Sequence, residues 1–145
     1  IVPFYGQGMN SGMEDCTVLD DLLDSEPDWG TVMSEYTRLR KPAGDAILEL
    51  ALRNYVEMRD LTGDPRFLLQ KKIEARLQRR YPDEWLPLYS QVTFSHTPYH
   101  EALAAGAAQD AIMHEVMDRP DIEAVWDSDE VAEAAMAKLR ALQHA

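Results

Sequence analysis

The chain has 145 residues, 46% hydrophobic and 28% charged, and its 14 basic and 26 acidic side chains give a formal net charge of −12. A chain of this length buries roughly 70% of the surface its unfolded form exposes, so one domain with a true core is expected, and 7 glycines and 8 prolines are too few for a low-complexity or disordered chain. The acidic balance argues against nucleic acid and anionic lipid as partners, and there is no apolar run of about 18 residues of the kind that spans a membrane.

The single cysteine, Cys16, cannot form an internal disulfide, which fits a reducing, cytoplasmic compartment. The chain starts without an initiator methionine, and Ile1-Val2-Pro3-Phe4 reads as the end of a buried strand. The expectation is a fragment of a longer protein.

After Tyr5 comes a glycine cluster, Gly6-Gln7-Gly8-Met9-Asn10-Ser11-Gly12. A helix should start there, capped by Asn10 or Ser11, with Glu14 and Asp15 placed where negative charge favours a helix start. Met13, Cys16, Leu19, Leu22 and Leu23 supply its apolar face up to Ser25-Glu26-Pro27. From Asp28 the residues Val32, Met33, Tyr36, Leu39, Ala43, Ile47, Leu50, Asn54 and Met58 recur at helical spacing as far as Thr62-Gly63. Pro42 predicts a kink or break near Lys41. Asp64-Pro65 restarts a helix along Leu69, Ile73 and Leu77, which Pro82 stops. The stretch 88–95 reads as a short extended segment, because Tyr89, Val92, Thr93 and Phe94 are aromatic or β-branched. Thr97-Pro98 opens a helix to about Met117, and Asp127 with Glu130 has capping-box spacing before a last helix through Val131, Ala135 and Leu139. The fold class is therefore mainly α, with four or five helices.

A glycine-rich turn lets backbone amides approach a ligand, and a helix start behind it adds partial positive charge, a setting for phosphate or an electron-rich ring edge. A tight turn without any ligand satisfies the same residues. The spacing Gly6-x-Gly8-x-x-x-Gly12 is not the dinucleotide fingerprint. On its own Asn54, lying on the apolar stripe between Leu50 and Met58, needs a hydrogen-bond partner and reads first as a packing-register amide. Met58 and Tyr89 alone are ordinary core residues. His96 and His100 have no evident third metal ligand. The stretch from Arg66 to Arg80 reads as a solvated basic face.

Val2-Pro3-Phe4-Tyr5-Gly6-Gln7-Gly8-Met9-Asn10, followed by Glu14-Asp15, resembles the flavin-packing segment of class A flavoprotein monooxygenases. It is similar above all to the kynurenine 3-monooxygenase version, V-P-F-x-G-Q-G-M-N. Three further blocks support the resemblance: Tyr36 to Pro42, Asn54 to Met58, and Pro87 to Ser95. It extends from Ile1 to about Met117.

The resemblance implies the C-terminal helical region of an α/β (α+β) flavoprotein monooxygenase. Residues 1–24 would end the FAD-binding domain, and residues 25–145 would form part of the substrate pocket. It implies FAD as cofactor, NADPH and O2 as co-substrates, and L-kynurenine hydroxylated at the 3-position as substrate. Gly6, Gln7, Gly8, Met9 and Asn10 would face the flavin. Pro3, Phe4, Asn54, Met58, Tyr89 and Thr93 would surround the substrate, with Asn54 and Tyr89 at its amino-acid end. Tyr5 falls where family members vary and receives no role. The resemblance assigns no catalytic acid or base and no metal to this chain; the chemistry rests on the cofactor and on positioning. The missing N-terminal part of the same protein would be a partner, a homodimer stays open, and the fragment alone is expected to be inactive. The alternatives are another class A aromatic-ring hydroxylase and a non-catalytic helical interaction module.

Overall fold

The computed structural model describes residues 2–143. Ile1, read above as part of a strand end, lies outside the described residues. Val2 to Tyr5 form a tight turn, with the Phe4 amide donating to the Val2 carbonyl at 3.0 Å. The expected strand end is thus not seen. A strand needs a neighbour to pair with, and no strand occurs among the described residues.

Gly6 has φ 68°, a left-handed conformation that only glycine adopts without strain. It turns the chain directly into α1 (Gly8–Ser25), which therefore starts earlier than Asn10 or Ser11. Gln7 stands at the N-cap without a side-chain cap. Its buried carboxamide oxygen instead accepts from Asn10 Nδ2 at 2.8 Å and from the Tyr99 hydroxyl at 3.3 Å. The expected apolar face of α1 is mostly open: Met13 is 65% and Leu23 40% exposed.

α2 (Trp29–Val56) begins at Asp28, whose carboxylate accepts from the Thr31 amide at 2.8 Å. It buries Val32, Ala43, Ala46, Ile47, Leu50 and Ala51. The helix runs through Pro42 without the break expected near Lys41. Pro42 sits on the solvent side, so the Arg38 carbonyl that its missing N–H would have served can be hydrated. A π-helical turn, Glu57–Leu61, continues α2 and stops at Thr62-Gly63 as the sequence indicated.

In α3 (Pro65–Arg80), Asp64 caps the amides of Arg66 and Phe67 at 2.7 and 3.0 Å. The stretch read as extended is a helix, α4 (Leu88–Phe94). Pro87 supplies the first carbonyl, accepting from the Gln91 amide at 3.0 Å. Val92 is buried with Ala43, Ile47 and Ala102, so packing onto α2 and α5 outweighs the weak β preference of its residues.

α5 (Tyr99–Met117) follows Pro98 as expected. It is separated from the last helix by one turn, α6 (Ile122–Val125). α7 (Asp129–Gln143) is capped by Ser128, whose hydroxyl accepts from the Val131 amide at 3.3 Å. The cap is therefore Ser128 rather than Asp127. The described residues hold seven α-helices instead of four or five.

Two buried clusters form. Ile73, Leu77, Trp85, Ile112, Met113, Val131, Ala135 and Met136 join α3, α5 and α7. Tyr5, Ala43, Ile47, Leu50, Val92, Tyr99 and Ala102 join the N-terminal turn to α2, α4 and α5. α4 seats closely on α5 at Gly106, where a Cβ would lie 2.7 Å from a Leu88 methyl.

Candidate functional site

The N-terminal turn is pinned to α2 and α4 by three contacts. Asn54 Nδ2 donates to the Phe4 carbonyl at 2.8 Å. The Phe4 ring lies 4.8 Å from the Tyr55 ring. The Tyr5 ring stacks on Tyr89 at 5.5 Å and 26°, and Tyr89 meets Phe94 edge-on at 6.2 Å. Such aromatic pairs each add roughly 0.5–1.5 kcal/mol beyond the area they bury.

Tyr5, Asn54 and Tyr89 line one hollow of about 190 Å³ with Arg53, Glu57 and Asp110. Lys71 and Glu74 of α3 complete its charged side. Arg53 pairs with Asp110 and, at 3.1 Å, with Glu57, while Lys71 pairs with Glu74 at 2.9 Å. The walls thus carry both signs of charge.

A second, more open groove of about 830 Å³ runs beside α1. Its lining includes Gln7, Asn10, Met13, Glu14, Arg40 and the segment from Val92 to His100. Thr93 belongs to this groove and not to the smaller hollow. Its hydroxyl oxygen is buried with no partner among the described residues. His96 and His100 border the same groove, and no group of three metal-ligating side chains occurs among the described residues.

Of the other sequence-selected residues, Gly6, Gly8, Met9 and Asn10 are exposed, as is Pro3, while Gln7 is buried. Met58, on the π-helical turn, is 54% exposed. The Ser11 amide is the first to find an intrahelical acceptor, the Gln7 carbonyl at 2.9 Å. The amides of Gly8, Met9 and Asn10 therefore remain open at the positive end of the helix.

No acidic residue occupies the first turn. Glu14 and Asp15, expected there, lie a turn further on, where Arg40 holds them at 3.0 and 2.6 Å. Arg40 is itself largely buried, with 13% of its side chain exposed. Open amides, no competing carboxylate, and a Gly8 with nothing within 4 Å of where a Cβ would sit leave room for an anionic or electron-rich group.

Sequence reasoning passed over Tyr5, Arg53 and Asp110. Tyr5 falls where family members vary, and the Tyr89 it stacks on lies in the segment read as extended, so it carried no signal. The Arg53–Asp110 pair joins residues far apart in sequence and had none.

Burial pushes the Tyr5 phenol up to about 12, helped by the nearby Glu57 charge and opposed by Arg53. The folded chain favours the neutral phenol. Its contribution to stability is complete below the ordinary value of 10.0 and is lost as the pH rises towards about 12. Urea midpoints measured across that window should fall more steeply for the wild type than for Tyr5→Phe. Parallel curves would exclude Tyr5 as the source.

No family model matches the chain. Among curated proteins it is 53% identical over 132 residues to a kynurenine 3-monooxygenase of Flavobacterium johnsoniae, covering 90% of this chain and 30% of that protein. It is 50% identical over 141 residues to the kynurenine 3-monooxygenase of Christiangramia forsetii, covering 97% and 32%. With that of Myxococcus xanthus the identity is 52% over 116 residues, covering 80% and 25%. The second of these carries the likeness past Met117 into α7. The chain spans about a third or less of the length of these relatives. Similarity of this depth over most of the chain supports a family relationship with the kynurenine 3-monooxygenases and a monooxygenase ancestry.

Proposed function

We propose that the chain is part of a cytoplasmic NADPH- and FAD-dependent monooxygenase that hydroxylates L-kynurenine to 3-hydroxykynurenine. The observation that carries this reading is the junction at the N-terminal turn. There the open amides of Gly8 to Asn10 follow directly on Phe4 and Tyr5, and those two residues are fastened to Asn54 and Tyr89.

When bound, FAD together with NADPH would supply the activation of O2 and the oxygen transfer. This chain's residues would bind, orient and exclude water. Gly6 and Gln7, with Gly8, Met9 and Asn10 in the first turn of α1, would face the flavin, where partial positive charge stabilises an electron-rich ring edge. Pro3 and Phe4 lie between that segment and the substrate. Asn54 and Tyr89 meet the amino-acid end, while Thr93, on the groove beside α1, and the exposed Met58 would reach the substrate only from outside that hollow. The substrate ring is thus held against the cofactor by contacts that need no acid or base.

The test uses the full-length protein. Purified with FAD, it should consume NADPH in step with 3-hydroxykynurenine formation when given L-kynurenine. NADPH consumption without product, alongside coupled turnover of a different phenol or aniline, would move the assignment to another class A aromatic-ring hydroxylase.

A further inference from the structure

Tyr5 has the features of a ligand-contacting residue although its position in the sequence gave it none. Its side chain is 9% exposed. Its ring is fixed on both sides, by the cluster around Ile47 and Leu50 and by the stack on Tyr89. Its hydroxyl has no hydrogen-bond partner among the described residues, whereas the other buried tyrosine hydroxyl, that of Tyr99, donates to Gln7. Tyr5 lines the hollow, so its uncommitted hydroxyl is available to hydrogen-bond a polar group that enters there.

The hollow indicates what that is. Arg53 is already engaged by Asp110 and Glu57, and Asn54 Nδ2 is committed to the Phe4 carbonyl. The Tyr5 and Tyr89 hydroxyls and Asn54 Oδ1 are left with hydrogen-bonding capacity. Two donors and an acceptor, inside walls of mixed charge, complement a zwitterion: the hydroxyls suit a carboxylate and the amide oxygen an ammonium. A purely aromatic group would use none of the three.

We infer that Tyr5 is a specificity-determining residue of this site, its hydroxyl hydrogen-bonding the carboxylate of an α-amino-acid substrate while its ring holds Tyr89 in register. The inference rests on the functional reading above. Its raised pKa keeps the phenol protonated, and hence a donor, at any ordinary assay pH.

Tyr5→Phe removes one oxygen and keeps the stacked ring. In the flavin-loaded full-length protein it should raise the Kd for L-kynurenine about 10–100-fold, the loss expected for one hydrogen bond to a charged group. Flavin content and melting temperature should stay at wild-type values. Tyr5→Leu, which also loses the stack, should weaken binding further and lower the melting temperature. A Tyr5→Phe protein that binds L-kynurenine as tightly as wild type, or that loses flavin in the same proportion, overturns the inference. A wild-type protein that does not bind L-kynurenine fails the functional reading and this inference with it. A difference missing only between wild type and variant fails the inference alone.

Discussion

Trp85→Ala is expected to lower the unfolding free energy by about 3–5 kcal/mol, the range for emptying a buried large aromatic site. Trp85 is fully buried at the centre of the cluster formed by α3, α5 and α7, among Ile73, Leu77, Ile112, Met113 and Met136. Its backbone amide donates to the Tyr81 carbonyl at 2.8 Å, which closes the end of α3 and fixes the chain before the indole enters the core. Little around it can collapse into the space, because its neighbours belong to three separate helices.

Trp85→Phe should cost clearly less. The indole N–H is buried without a partner among the described residues, and its removal relieves an unsatisfied donor while most of the ring volume stays. Urea unfolding followed by circular dichroism measures both variants. Equal losses for alanine and phenylalanine would mean that the hydrogen-bonding state of the indole, and not its volume, governs the site.

The contrast between Trp85 and Val92 shows what the sequence carried. Local signals were legible. Asp64-Pro65, Asp28 and Pro98 mark helix starts because cap chemistry depends on residues a few positions apart. The apolar stripe of α2 was readable through Ala43, Ile47 and Leu50, which are buried, but Met33 and Leu39, read on the same stripe, are exposed. Where tertiary packing decided, the reading failed. Tyr89 to Phe94 have the composition of a strand, yet they form α4 because Val92 fits against Ala102 of the next helix and against Ala43, which is distant in sequence. Pro42 is tolerated because it faces solvent, a fact that no local pattern contains.

At the site, the glycine turn and Asn54 stood out as features of single segments. The Arg40 contacts with Glu14 and Asp15 and the Arg53–Asp110 pair depend on which helices adjoin. Tyr5 was hidden for a related reason: its partner, Tyr89, lies on the segment whose helix was missed.

Asn54→Ala in the full-length protein should weaken L-kynurenine binding about 10–100-fold, as expected when a buried hydrogen bond to a charged group is lost, and should weaken flavin binding less. Asn54 faces two ways. Its Nδ2 holds the Phe4 carbonyl at 2.8 Å, and its Oδ1 remains available to the ligand's ammonium. Alanine removes both functions. Asn54→Asp separates them, because a carboxylate cannot donate to the Phe4 carbonyl but still accepts from an ammonium. If ligand recognition dominates, the aspartate variant keeps much of the affinity that alanine loses, while its flavin content drops as the turn loosens. If Asn54 serves only to fasten the turn, the two variants lose flavin and kynurenine together and to the same extent. Titrating FAD and L-kynurenine separately against wild type and both variants decides between these outcomes, since only the first requires the side chain to touch the substrate.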